Sequence, residues 1–142
     1  MAPSGSTAYV SIPTESKIMV FDLETNQLVG EPTVSPPENL MLSSDGKTIL
    51  ASYAFPRNPT AVSIFDTESL TSVEVALPGV AASHTDLTRD GKFGFVSLLG
   101  SGDQGWPNRI AVLDIDAATV LTVYELPDSP LPHAVRYAPG PP

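Results

Sequence analysis

The sequence predicts an all-β fold built from three copies of one short unit, and three observations carry that expectation. Landmark segments recur in a fixed order with a period of about 45 residues. Within each copy, apolar and polar residues alternate with a period of two, and no window shows the 3.6 period of an amphipathic helix. Fifteen prolines and ten glycines, spread in short clusters along 142 residues, punctuate the chain too often for long helices.

The first landmark is Tyr9-Val10-Ser11, matched by Leu50-Ala51-Ser52 and Phe95-Val96-Ser97 at intervals of 41 and 45 residues. The second is Val20-Phe21-Asp22, matched by Ile64-Phe65-Asp66 and Leu113-Asp114 at intervals of 44 and 48. The third is Leu42-Ser43-Ser44-Asp45-Gly46-Lys47, matched by Leu87-Thr88-Arg89-Asp90-Gly91-Lys92 and, in weaker form, by Tyr137-Ala138-Pro139-Gly140. Lys17 to Phe21, Thr60 to Phe65 and Arg109 to Leu113 are rich in β-branched and aromatic residues between turn formers, so they read as strands. A further strand follows each, over Leu28 to Val34, Leu70 to Leu77 and Thr119 to Leu126. Asp45-Gly46 and Asp90-Gly91 lie between apolar runs and predict hairpins, because glycine reaches positive φ without a Cβ clash. Asp22, Asp66 and Asp114 read as turn formers whose carboxylates accept hydrogen bonds from nearby backbone N–H groups.

Four short strands per repeat of about 45 residues is the signature of a β-propeller blade. Residues 1–6 are expected to be a flexible N-terminal segment, and residues 7–140 one domain of three repeats, about 7–47, 48–92 and 93–140. With the strands of a blade labelled A to D from the channel outwards, the chain runs B-C-D, A-B-C-D, A-B-C-D and a lone A strand at His133 to Tyr137. This is a half-propeller of three four-stranded blades in permuted phase. Propellers have four to eight blades, so three are not expected to close a ring alone. The expected partner is a second copy, the homodimer closing a six-bladed ring as the terminal A strand of one subunit completes the blade begun by Tyr9 of the other. The competing reading is a fragment of a larger propeller.

The segments Ala8-Tyr9-Val10-Ser11 and Lys17-Ile18-Met19-Val20-Phe21-Asp22-Leu23-Glu24-Thr25-Asn26, with the Ser-Asp-Gly-Lys hairpin, resemble the YVTN-type propeller repeat. That resemblance spans residues 7–140 and implies kinship with cytochrome cd1, nitrous-oxide-reductase-like and lactonase-like propellers. It implies the fold more than a function, since such propellers include lactonases, surface-layer proteins, haem- and copper-bearing reductases and scaffolds. The WD40 pattern fits less well, because no copy ends in Trp-Asp and the only tryptophan, Trp106, falls in a loop.

Composition narrows the partners. Hydrophobic residues make up 42% of the chain and charged ones 16%, enough for one compact soluble domain. A net charge of −9 and a pI near 4.3 argue against nucleic acid and against an anionic membrane. The absence of cysteine excludes disulfides, thiolate nucleophiles and Cys-based metal sites. Met1 to Ser6 has neither a basic nor an apolar signal region, so the expected location is intracellular unless a signal was removed. There is no EF-hand spacing, no HExxH and no phosphate-cradling glycine loop, and neither a metal nor a cofactor is expected.

The candidate site falls on the loops between strands B and C and between D and A. The B–C loops lengthen along the chain: 11 residues from Ser11 to Asp22, 14 from Ser52 to Asp66 and 17 from Ser97 to Asp114. They bring Arg57, Asn58, Trp106 and Arg109 as candidate ligand-binding residues: arginines for an anionic or carbonyl group, Trp106 for an apolar wall. The plainer reading is that Trp106 caps the core and Arg109 pairs with a surface acid. His84 and His133 fall at the mouths of inner strands, where imidazole suits acid or base work near neutral pH, or simply bonds a neighbouring blade. In the resembled haem d1 and copper-cluster propellers, histidines at such mouths are ligands. Asp86, two residues after His84, is expected on the same strand face, where it can orient the ring. These three are the candidate catalytic residues, but Ser83, His84 and Asp86 do not form a triad, being too close along one strand. The functional expectation is a small-molecule-binding propeller with its site at the channel mouth of the homodimer, compatible with lactone hydrolysis, isomerisation or cyclisation. The alternative is a non-catalytic scaffold gripping a protein or polysaccharide. A haem- or metal-bearing redox module comes third.

Overall fold

A computed structural model describes residues 5–53, 60–100, 107–126, 135, 136 and 138. Eleven strands form among the described residues: β1 (Thr7–Ile12), β2 (Lys17–Asp22), β3 (Gln27–Gly30), β4 (Asn39–Leu42), β5 (Thr48–Ser52), β6 (Thr60–Asp66), β7 (Thr71–Leu77), β8 (Ala81–Leu87), β9 (Phe93–Leu99), β10 (Asn108–Asp114) and β11 (Thr119–Leu126). They make three antiparallel sheets, β1-β2-β3, β4-β5-β6-β7 and β8-β9-β10-β11, each an up-and-down meander. These are the propeller blades the repeat predicts, in the predicted phase. The first sheet has three strands among the described residues. The lone A strand expected at His133 to Tyr137 lies outside the described residues except for Val135 and Arg136.

Blade two is buried on both faces, and alternation along its strands feeds two cores. On β5, Ile49 and Ala51 point towards blade one while Leu50 points towards blade three. The core between blades one and two gathers Ile18, Val20, Val34, Ile49, Ala51 and Phe65, with Tyr9 standing edge-on to Phe65 at 6.5 Å between ring centroids. The core between blades two and three centres on Leu50, Val62, Val75, Val96, Leu98, Ala111 and Leu113. Among the described residues, inner strands β4 and β8 pack side by side, whereas outer strands β7 and β11 make a smaller contact. The blades therefore diverge outwards from a shared inner edge.

The turns repeat as closely as the strands. After strand C, Asp22 Oδ1 accepts from the N–H groups of Glu24 and Thr25 (2.8 and 3.0 Å), and Asp66 Oδ1 from those of Glu68 and Ser69 (3.1 and 2.6 Å). Asp114 Oδ1 accepts from Ala117 N–H at 2.9 Å. Each turn ends on a left-handed residue: Asn26, Leu70 and Ala118, at φ 54°, 56° and 50°. The N–H after each aspartate donates back into the same blade, from Leu23 to Ser6 O, Thr67 to Lys47 O and Ile115 to Lys92 O, at 2.8 to 2.9 Å.

Two expectations change in detail. The strand predicted over Leu28 to Val34 stops at Gly30, because Pro32 has no N–H for the ladder. Pairing resumes only as the single bridge Lys17 to Thr33. The Asp-Gly hairpins are not two-residue turns: Gly46 N–H donates to Ser43 O and Gly91 N–H to Thr88 O, a four-residue turn with the glycine left-handed at φ 75° and 72°.

Candidate functional site

Blade three places its inner strand β8 against β4, and β8 is buried along almost its whole length. Within it, the pairing with β9 slips by one residue between Ala82 and Thr85. This bulge falls on Ser83 and His84, and it exists because serine hydroxyls replace the missing ladder partners. Ser97 Oγ accepts from His84 N–H (3.0 Å) and donates to His84 O (3.3 Å). Ser52 Oγ, reaching across from blade two, donates to Ser83 O at 2.6 Å. Ser52, Ser83 and Ser97 are all buried. Ser83 Oγ in turn lies 2.9 Å from His84 Nδ1, so the imidazole is held by its own chain neighbour. Ser11 makes the corresponding cross-blade bond to Glu38 O at 3.4 Å.

The bulge lies on the Ala82 side of Thr85, and pairing with β9 is regular again from Thr85 through Asp86 to Leu87. The extra residue breaks the period of two between Ala82 and Thr85. Asp86 is buried near the end of β8, and its Oδ1 accepts from Leu87 N–H at 3.0 Å.

Asp86 lines an open groove of about 350 Å³ between the inner ends of blades two and three, with Met41, Ser43, Ser44, Thr88 and Arg89. Ser44 Oγ donates to Arg89 O across its floor. The groove opens beside the Asp-Gly turns, at the end of the inner strands opposite to the B–C and D–A loops. Sequence reasoning passed over Ser44 and Arg89, although they are the position at which the two hairpin copies differ in charge. That difference was the available signal.

Arg109 lies in β10, not in the loop before it. Its Cα partner in β11 is Glu125, and the guanidinium donates to Glu125 Oε1 from Nη2 (3.0 Å) and Nε (3.3 Å). Arg109 also sits opposite Leu98, which is opposite Ala82, so two strand spacings separate it from β8. The fold therefore brings His84 and Asp86 onto one strand and leaves Arg109 on the outer half of the blade. Arg57, Asn58, Trp106 and His133 lie outside the described residues. Among the described residues, no three His, Asp or Glu side chains gather as a metal-binding group. Among the described residues, no helix is long and apolar enough to cross a membrane.

No protein-family model matches the chain, and no curated protein sequence matches it. Solved structures do. Hydrazine synthase from Kuenenia stuttgartiensis superposes with a TM-score of 0.78 at 24% identity, over 94% of this chain and 36% of that one. The U3-55K structure superposes at 0.69 with 15% identity, over 88% of this chain and 37% of that one. The WD40 repeats of RRP9 superpose at 0.67 with 15% identity, over 87% and 36%. The chain thus spans about a third of the solved chains it resembles. At these identities the likeness concerns architecture alone, and that architecture is the β-propeller, of which this chain forms three consecutive blades.

Proposed function

We propose that the chain is a small-molecule-binding propeller of the YVTN type, whose ligand contacts the inner strand of blade three. The observation that carries this reading is the bulge at Ser83 and His84. It turns a histidine out of the regular ladder on the innermost strand, while buried Ser52 and Ser97 hold the backbone around it and Ser83 holds its ring. Bulges commonly re-aim a side chain beside a binding site, at the expense of local pairing. Asp86 adds a carboxylate on the same strand, at a groove also lined by hydroxyls and Arg89. Those groups suit a polar ligand rich in hydroxyl or carbonyl oxygens, and His84 is the proton carrier for opening a lactone ring or shifting a proton beside a carbonyl. Trp106, Arg57, Asn58 and His133 belong to the B–C and D–A segments at the opposite end of the inner strands, and are candidates for a ligand at that end and not for this groove.

The scaffold reading draws on a different observation: Val29, Val73 and Leu121 stand more than half exposed on the outer strands of the three blades, an apolar rim open to a partner. One experiment separates the two. Ligand-observed NMR of the full chain with a panel of small lactones and their ring-opened hydroxy acids is expected to show binding that weakens at least tenfold in His84→Ala and Asp86→Asn. Binding unchanged in both variants, or none at millimolar ligand, overturns the small-molecule reading.

A further inference from the structure

The two internal junctions between blades are built from the same pair of half-surfaces. The half that faces the next blade is Tyr9, Ile18 and Val20 in blade one, and Leu50, Val62 and Val75 in blade two. The half that faces the preceding blade is Ile49, Ala51 and Phe65 in blade two, and Val96, Ala111 and Leu113 in blade three. The array therefore ends with one half-surface of each kind turned outwards. On blade one, Val10, Met19 and Phe21 hold the register positions of Ala51, Ser63 and Phe65. On blade three, Ile110, Val112 and Tyr124 hold those of Val62, Ile64 and Val75.

Burial shows what these positions are built for. Ala51 is 2% exposed, whereas its counterpart Val10 is 42% exposed; Val75 is 6% exposed, whereas Tyr124 is 60% exposed. Leu28, paired with Phe21 on the same outer face of blade one, is 43% exposed. Such paired apolar residues on a sheet face are a docking surface, not scattered surface hydrophobics. β1 moreover pairs only with β2 among the described residues, which supply no strand to its other edge.

We propose that a second copy of this chain covers both ends, blade one of each copy seating on blade three of the other, to close a six-bladed ring about a two-fold axis. The two outward faces complement each other and neither complements itself, so the contact runs head to tail, and repetition of a head-to-tail contact closes a ring when the rotation allows. Two copies give six blades, inside the usual range of four to eight; three copies give nine, outside it. Arg136, beyond β11, comes against the inner strand of blade three. Arg136 Nη1 donates to Thr85 O on β8 at 3.5 Å. The proposal is independent of any ligand, although closure would gather two copies of β8 around one channel.

Light scattering or sedimentation velocity on the full chain at tens of micromolar tests it. The expected mass is twice 14.9 kDa. Val10→Asp and Tyr124→Asp, one on each face, are each expected to return the mass to 14.9 kDa while keeping a β-rich circular dichroism spectrum. Leu28→Asp serves if Val10→Asp does not fold. An equimolar mixture of the two variants is expected to recover mass above that of the monomer, because one wild-type junction can still form between them. Val73→Asp, exposed on an internal blade, is expected to leave the dimer intact. A monomeric wild type overturns the proposal and assigns the faces to further blades or to another protein. So does a trimer, or a dimer that survives substitution on either face.

Discussion

Gly94 stands where blade two has Ile49, and the reason lies in the neighbouring blade. A Cβ at Gly94 would come within 2.8 Å of Leu50 Cδ2 and 3.0 Å of Ile115 Cδ1. Leu50 is fully buried and fills the space the missing side chain leaves. Gly94→Ala is therefore expected to destabilise the fold by about 1–3 kcal/mol through overpacking. Urea denaturation measures this, and an unchanged midpoint would show that Leu50 repacks without strain. At this scale the sequence is readable wherever a residue acts on its own neighbourhood. Asp22 and Asp66 cap turns two and three residues away, and Asp114 three residues away, as their position after an apolar run implied. Readability fails where a residue acts across strands. The bulge beneath His84 depends on Ser97, thirteen positions on, and the Arg109 to Glu125 pair depends on a register that spacing alone does not give. The long loops that singled out Arg57 and Trp106 carry no alternation to fix them, and they lie outside the described residues.

The elements were legible because they obey two local rules, alternation within strands and aspartate or glycine at their ends. β3 departs from the first rule, since counting apolar residues through Pro32 overlooks the lost donor. The second rule has a consequence for acid stability. Hydrogen bonds from Thr25 and Glu24 N–H pull the Asp22 carboxyl below its ordinary range, and those from Ser69 do the same for Asp66. In the A–B hairpins, the Ser43 hydroxyl lowers Asp45 and the Thr88 hydroxyl lowers Asp90, each helped by the N–H of the following lysine. A carboxyl whose folded value is depressed contributes stability that is fully present above its unfolded value, about 3.9, and is lost as pH falls through the folded value. The thermal midpoint is accordingly expected to hold above about pH 5 and to drop below about pH 4. In the Asp45→Asn, Asp90→Asn double variant the drop should be shallower, because the amide keeps an acceptor but no longer titrates. Equal acid slopes in the two proteins would remove the hairpins from the account.

For the whole molecule, three blades in a row behave as a one-dimensional array in which each contacts only its neighbours, so stability follows the junctions. The junctions are unequal. Among the described residues, the core between blades two and three buries eleven side chains and that between blades one and two buries six, and blade one brings three strands where its neighbours bring four. The blade with the smaller core and the fewer strands among the described residues is the one that should open first, since local unfolding follows the fewest buried apolar contacts. Hydrogen exchange on the full chain at low concentration is expected to show the amides of β1 and β2 exchanging well ahead of those of β9 and β10. Raising the concentration into the range where a second copy docks is expected to slow exchange in β1 and β2 selectively, because binding to the folded blade stabilises it by mass action. Slower exchange in every strand alike would mean that the three blades unfold as one unit. No change with concentration, with β1 remaining fast, would mean that blade one stays uncovered by its own kind, and the light-scattering mass would then have to be that of a monomer.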